Sequence, residues 1–215
     1  MKNGFLILVL TICLGVPGIV WAADEQVKVT GDYIYGDTEK KISYIEGNVR
    51  ITQGSTVITT DKAVIDTDKK QAVLEGKVVL DNPDGTVKAG YLDYDLRKKA
   101  GLFRNNVIMY RKAVKDSKTT KNKKEPFTLQ AEELYLESEQ KNFTAKTATF
   151  DHKEFKGSAR QIIYDDASEE LFFKGDVHLK KVKGEELLGE EIKINLKDNS
   201  FAATNNVSIQ MEVSD

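Results

Sequence analysis

The phrase "YIEGNVRI" at residues 44–51 returns as "VLEGKVVL" at residues 73–80, and the return is periodic. With the apolar residue after the Gly or Asn as anchor, Val49, Val78 and Val107 are spaced by 29 and 29, and Val177 and Val207 by 30. A weaker copy with Thr149 at the anchor lies 42 after Val107 and 28 before Val177. The excess falls on residues 112–126. About six copies of a ~29-residue unit constrain the fold more than any other feature. A unit that short cannot bury its apolar side alone, and stacked copies bury a continuous interior.

A second feature keeps the same phase. Polar turns precede the anchors at 36–41, 66–71, 96–101, 137–142, 165–170 and 196–200. Before each turn lies a short alternating run, such as "DKAVID", "GYLDYD" or "EELYLE", and alternation resumes after each anchor. Period-two alternation rich in Val, Ile, Thr, Tyr and Phe marks strands with one buried face, and the Asp, Asn, Lys and Gly clusters mark hairpin connections. The chain is therefore expected to be all-β, with twelve or more antiparallel strands in sequence order and two strands per repeat. Gly47, Gly76 and Gly175 fall inside the alternating runs. Such a glycine marks either a bend or bulge within one strand or a further hairpin turn.

The first residues follow another logic. One charge, Lys2, precedes an apolar stretch from Phe5 to about Val20, broken by Gly15, Pro17 and Gly18, and Val20-Trp21-Ala22 has cleavage-site spacing. Residues 1–22 are expected to be a cleaved signal peptide and 23–215 a single domain. Ile12 before Cys13 argues against a lipoprotein site. Cleavage would take away the sole cysteine and the sole tryptophan and move the net charge from −2 to −3. Stability then rests on core and sheet instead of disulfides. The near-neutral balance argues against a nucleic-acid partner.

At "YIEGNVRITQGSTVITTDKAVID" the chain resembles the OstA-like/LptA family, and the likeness continues through "GYLDYD" and "IIYDDASEELFFKGDVHL". The resemblance implies an elongated, open β-jellyroll with an apolar interior, and a periplasmic protein that carries the lipid A acyl chains of lipopolysaccharide between inner and outer membranes. It implies LptC-like and LptD-like proteins as partners, with an LptC-like role as the nearest alternative in the superfamily. The family's lipid path points to Val27 and Val29 on the first strand and to Tyr94 and Leu96.

By alternation, Val49, Ile51, Ile58, Leu80, Val107, Met109, Tyr164 and Phe172 join those four as inward residues, which either line a lipid path or form a dry core. The alternative function is a structural β-solenoid or surface repeat protein without cargo. A buried chain of a dozen carbons would gain roughly 10 kcal/mol at about 0.8 per CH₂. An unclosed sheet also leaves two edges, near Val27 and Val29 and near Val207 and Ile209, suited to head-to-tail self-assembly. The Lys-rich inserted loop at 111–126 is either a solvated loop or a contact for lipopolysaccharide phosphates or an anionic surface. No enzyme motif is present: His152 and His178 lie in different repeats, and the carboxylates sit in the phased turns. The pairs Asp66/Asp68 and Asp165/Asp166 lack calcium-loop spacing. No catalytic residue, metal or cofactor is expected.

Overall fold

The computed structural model describes residues 26–113, 124–182 and 184–210. The expected signal peptide and most of the Lys-rich loop lie outside them. The elements are β1 (Val27–Thr30), β2 (Tyr33–Asp37), β3 (Ile42–Gln53), β4 (Thr56–Asp66), β5 (Gln71–Asn82), β6 (Gly85–Asp95), β7 (Ala100–Arg111), β8 (Phe127–Glu137), β9 (Asn142–His152), β10 (Phe155–Asp165), β11 (Glu170–Lys181), β12 (Glu186–Asn195), β13 (Ser200–Thr204) and β14 (Ser208–Gln210). All pairings are antiparallel and, from β3 to β13, each strand pairs with the next in sequence. β1 and β2 both pair with β3, and β13 and β14 both pair with β12, so each end of the sheet is one strand position broken in two. The sheet does not close on itself.

The polar turns are hairpins of one design. Asp37, Asp66, Asp95 and Asp165 each accept two backbone N–H bonds from the turn through one carboxylate oxygen. The last turn residue takes a left-handed conformation at Lys41, Lys70, Lys99, Lys141, Glu169 and Asn199. The turns also stack: the carbonyls of Lys41, Lys70, Lys99 and Glu169 accept from the backbone N–H of Thr67, Leu96, Ser138 and Leu196 at 2.9–3.0 Å.

The intra-run glycines are bends, not hairpins. Gly47 and Asn48, Gly76, Asn105 and Asn106, Thr147, Gly175 and Asp176, and Asn205 and Asn206 all have positive φ. Register shifts at Glu46/Val49, Glu75/Val78, Arg104/Val107 and Lys174/Val177 mark bulges at the same phase. An L residue tolerates this backbone poorly and Asn or Gly tolerates it best, which is why those two types dominate the positions. The degenerate copy corrects the sequence expectation: Ala148, not Thr149, is the inward anchor, and Thr149 faces solvent. The cause is register: the ladders on both sides of β9 run through Thr147 without a shift, whereas β3, β5, β7 and β11 each carry an extra residue at their bends.

The bend folds the sheet onto itself. Phe127 pairs with His152, nine residues along β9 from Phe143, which would be about 30 Å in a straight strand. Yet the rings of Phe127 and Phe143 are 6.0 Å apart. Each strand thus contributes one arm to each of two facing layers. One apolar cluster runs between them from Ile45 to Ile194, with Leu74, Leu92, Phe103, Leu129, Leu134, Ile162 and Phe173 fully buried.

Because φ at Gly76 is +105° and a Cβ there would lie 2.5 Å from the Asp61 carboxylate, Gly76→Ala should cost about 1–3 kcal/mol. At Gly189 a Cβ meets nothing closer than 3.7 Å, and Gly189→Ala should stay within about 0.5 kcal/mol. Urea midpoints of the two variants measure the difference, and equal midpoints would rule out a strained bend.

Candidate functional site: the apolar interior and its seam

The folded sheet has a closed spine at the bends and two lips. One lip is the row of polar turns; the other is the row of opposite hairpins at 53–56, 82–85, 111–127, 152–155 and 181–186. Antiparallel partners share a face, so the inward set follows from register. Val49, Ile51, Ile58, Leu80, Tyr94, Leu96, Val107, Met109 and Tyr164 are all buried in the cluster, with Val27 and Val29 packed against its N-terminal end.

Phe172 is the exception among the expected residues. Tyr164 pairs with Leu171 and Ile162 with Phe173, so Leu171 and Phe173 face inward and Phe172 faces out, where Lys193 Nζ lies 5.1 Å above its ring. Of the expected edge residues, Val27 and Val29 lie on β1 and Ile209 on β14, while Val207 precedes β14 and is exposed.

The lips meet along a polar seam. Gln53 Nε2 donates to the Leu96 carbonyl at 2.9 Å. Lys141 Nζ lies 2.9 Å from Asp84 Oδ1. Asp166 receives Arg111 Nη2 at 2.7 Å and Lys124 Nζ at 2.6 Å. In each case a hairpin meets the turn three strands later: β3–β4 meets β6–β7, β5–β6 meets β8–β9, and β7–β8 meets β10–β11. Twist of the strands produces this constant stagger. At the fourth position, Glu154 and Phe155 face Ile194, Asn199 and Phe201 across a cavity of about 210 Å³.

Arg111 is the centre of the seam. Its guanidinium carbon lies 5.5 Å from the Phe127 ring centroid and 5.0 Å from that of Tyr164, and Nη1 donates to the Tyr164 hydroxyl. Burial raises the Tyr164 pKa and pushes that of Tyr94 up to about 12, so both phenols stay protonated. Burial alone would raise the Asp166 pKa, but the bonds from Lys124, Arg111 and Tyr164 outweigh it and the net shift is downward. Desolvation lowers the His152 pKa, leaving that ring neutral. Among the described residues Gln53 Oε1, His152 Nε2 and Ser168 Oγ are buried without a partner, and Tyr94 OH and Ser138 Oγ, also buried, bear only on one another. All five belong to residues of the two lips or of the arm ends that meet them.

Beneath the Asp84 and Asp166 bridges lies a cavity of about 30 Å³ lined by Leu80, Val87, Met109, Phe127 and Leu136 with Arg111, Lys141 and Tyr164 at its rim. It holds about one water, whereas a dry cavity of about 150 Å³ suffices for benzene. Neither cavity has room for a long acyl chain while the seam is closed. The arrangement is a packed apolar interior whose open side is crossed by a few polar bridges. Sequence reasoning found this buried set, Phe172 apart, missed Gln53, Asp84 and Lys141 of the seam, and took Asp166 only as a turn carboxylate. It placed Arg111 and Lys124 only in a basic loop. Their meeting depends on the three-strand stagger, which leaves no local pattern. Among the described residues no group of His, Asp and Glu side chains is placed to hold a metal ion.

The profile of the family described as LptA/(LptD N-terminal domain) LPS transport protein matches residues 28–200, from β1 to the start of β13. Among solved structures the chain is similar to LptH of Pseudomonas aeruginosa, described as the LptA-homologous periplasmic component of the conserved lipopolysaccharide transport device. That pair is 13% identical over 89% of this chain and 100% of the other, with a TM-score of 0.27, too low to inform the geometry. No curated protein matches the sequence.

Asp166→Asn should destabilise the fold by about 1–3 kcal/mol at neutral pH, because Arg111 and Lys124 lose their carboxylate. A carboxylate with a lowered folded pKa contributes stability above its unfolded pKa, about 3.9, and loses it as pH falls through the folded value. The gap between wild type and variant in urea midpoint should therefore be constant from about pH 5 upwards and shrink below about pH 4. A gap independent of pH would show that Asp166 does not act through its charge.

Proposed function

The chain belongs to the family of LptA and LptD N-terminal-domain lipopolysaccharide transport proteins, and on that premise we propose that it is a periplasmic carrier. It holds the lipid A acyl chains in its interior on their way from the inner to the outer membrane. Residues 1–22 are removed on export. LptC-like and LptD-like proteins join the two ends of the sheet, and copies add head to tail through β1 and β14.

The observation that carries this reading is the nature of the mouth. A continuous apolar interior is enclosed on one side by side-chain bridges alone, not by a strand ladder. Parting such bridges costs far less than breaking a sheet, and each CH₂ that enters recovers about 0.8 kcal/mol. The filled interior favours a second reading, a dry-core structural β-solenoid, because in it the seam never needs to part.

Photo-crosslinking separates the two. Probes at Met109 or Phe173 should capture lipopolysaccharide in cells, and a probe at Phe172, one residue along the same strand, should not. Equal capture at Phe172 and Phe173 would mean nonspecific surface association, and no capture at either would favour the dry core. Pinning the lips should also block loading. With Asp84→Cys and Lys141→Cys joined by a short bis-maleimide, capture at Met109 should fall at least roughly tenfold, and undiminished capture would mean that lipid does not enter through this seam.

Assembly has its own test. The edges carry free backbone groups, and Ile209→Pro removes one donor from β14. Particle size by light scattering should rise with concentration for the wild type and rise less for the variant. Identical curves would argue against β14 as the joining edge.

A further inference from the structure

We propose that the seam is a phosphate-exchange latch: the phosphate of an anionic amphiphile takes the places of Asp84 and Asp166 on Lys141, Arg111 and Lys124, and the exchange parts the lips. The inference rests on the carrier reading and assigns it a headgroup site.

Three cations, Arg111, Lys124 and Lys141, meet two carboxylates here. One positive charge is left over beside an apolar cavity. A phosphate monoester brings about −1.5 to −2 charges and three acceptor oxygens, so it matches this cluster better than one carboxylate does. Arg111 lies over the touching rings of Phe127 and Tyr164, which restrains its fork for bidentate contact with a phosphate. Tyr94 and Ser138, whose hydroxyls bear on one another, are buried on the turn side of the same seam, and Ser138 shares the cavity wall with Lys141 and Arg111. Both are hydroxyl donors of the kind a phosphate oxygen accepts.

The rest of the ligand follows from what lies behind the cations. Leu80, Val87, Met109, Phe127 and Leu136 line the cavity, so the headgroup at the rim leads an acyl chain directly into the main cluster. Asp84, once displaced, has somewhere to go: it is already about a third exposed and lies on a hairpin. Bridges made only within the chain would favour the closed seam in every setting. Exchange makes opening depend on the cargo's own charge.

The test uses the exported chain, purified without detergent, with a photo-crosslinker at Met109 and two probes: lipopolysaccharide and the same material after phosphatase treatment. The wild type should capture the phosphorylated form roughly tenfold or more over the dephosphorylated form. Lys124→Gln with Lys141→Gln should bring the ratio near one. Asp84→Asn with Asp166→Asn, which releases the latch from the other side, should load both forms faster than wild type. Equal capture of the two forms by wild type would refute the latch and leave carriage standing; capture of neither would refute both. An unchanged ratio in the lysine variant, or slower loading in the asparagine variant, would also refute the latch. The wild-type comparison stands even if either double variant folds poorly.

Discussion

The structure depends on one backbone constraint: once in every repeat, within an otherwise extended strand, the chain takes left-handed φ angles. The bends at Gly47, Gly76, Asn105, Thr147, Gly175 and Asn205 convert a long flat sheet into two facing layers. A flat sheet of this length would expose its apolar face. Bent at one phase in every strand, it buries that face against itself, as the 6.0 Å separation of Phe127 and Phe143 records. The cost of the strained residues falls on types that tolerate them, and the polar partners across each bend are local. Asn48 Nδ2 bonds Asp32 at 2.8 Å, and Lys77 N bonds Asp61 at 3.2 Å.

The same folding creates the seam and decides its chemistry. Two lips of turns cannot hydrogen-bond as a ladder, because their backbones are already committed to the hairpins. They can meet only through side chains, and their side chains are polar because turns are solvated. Hence an interior of Leu, Ile and Phe ends in a line of Gln, Lys, Arg and Asp.

How much of this could be read from the sequence follows from the range of the interactions. The strand count, the phase of the turns and the buried set came from local alternation and the 29-residue spacing, and Tyr94, Val107 and Met109 lie where that spacing put them. Adjacent residues of like hydrophobicity defeat alternation: Phe172 and Phe173 differ only in which of them faces Ile162 across the ladder. The bend in β9 lacks the extra residue that those of β3, β5, β7 and β11 carry, so its inward anchor is Ala148 instead of Thr149. The seam was illegible because Arg111 and Asp166 are 55 residues apart. They meet through accumulated twist, a property of the whole sheet that no window of the sequence carries.

The stagger that hides the seam from the sequence also leaves it incomplete. If each hairpin meets the turn three strands later, the turns of β2–β3 and β4–β5 have no hairpin three strands before them among the described residues, since the first is β3–β4. At the other end the β11–β12 hairpin has no turn three strands after it. The two deficits match in part: a neighbouring chain added in register at β1 would bring its last hairpin, β11–β12, over the β2–β3 turn and leave the β4–β5 turn facing the junction. Joining by backbone edges would then also continue the seam across the junction. A carrier with an enclosed channel needs that continuity, because a lipid passed from copy to copy must not meet water at the join. In such an assembly edge pairing and lip pairing would be two consequences of a single register, set by the bend, the twist and the constant repeat length.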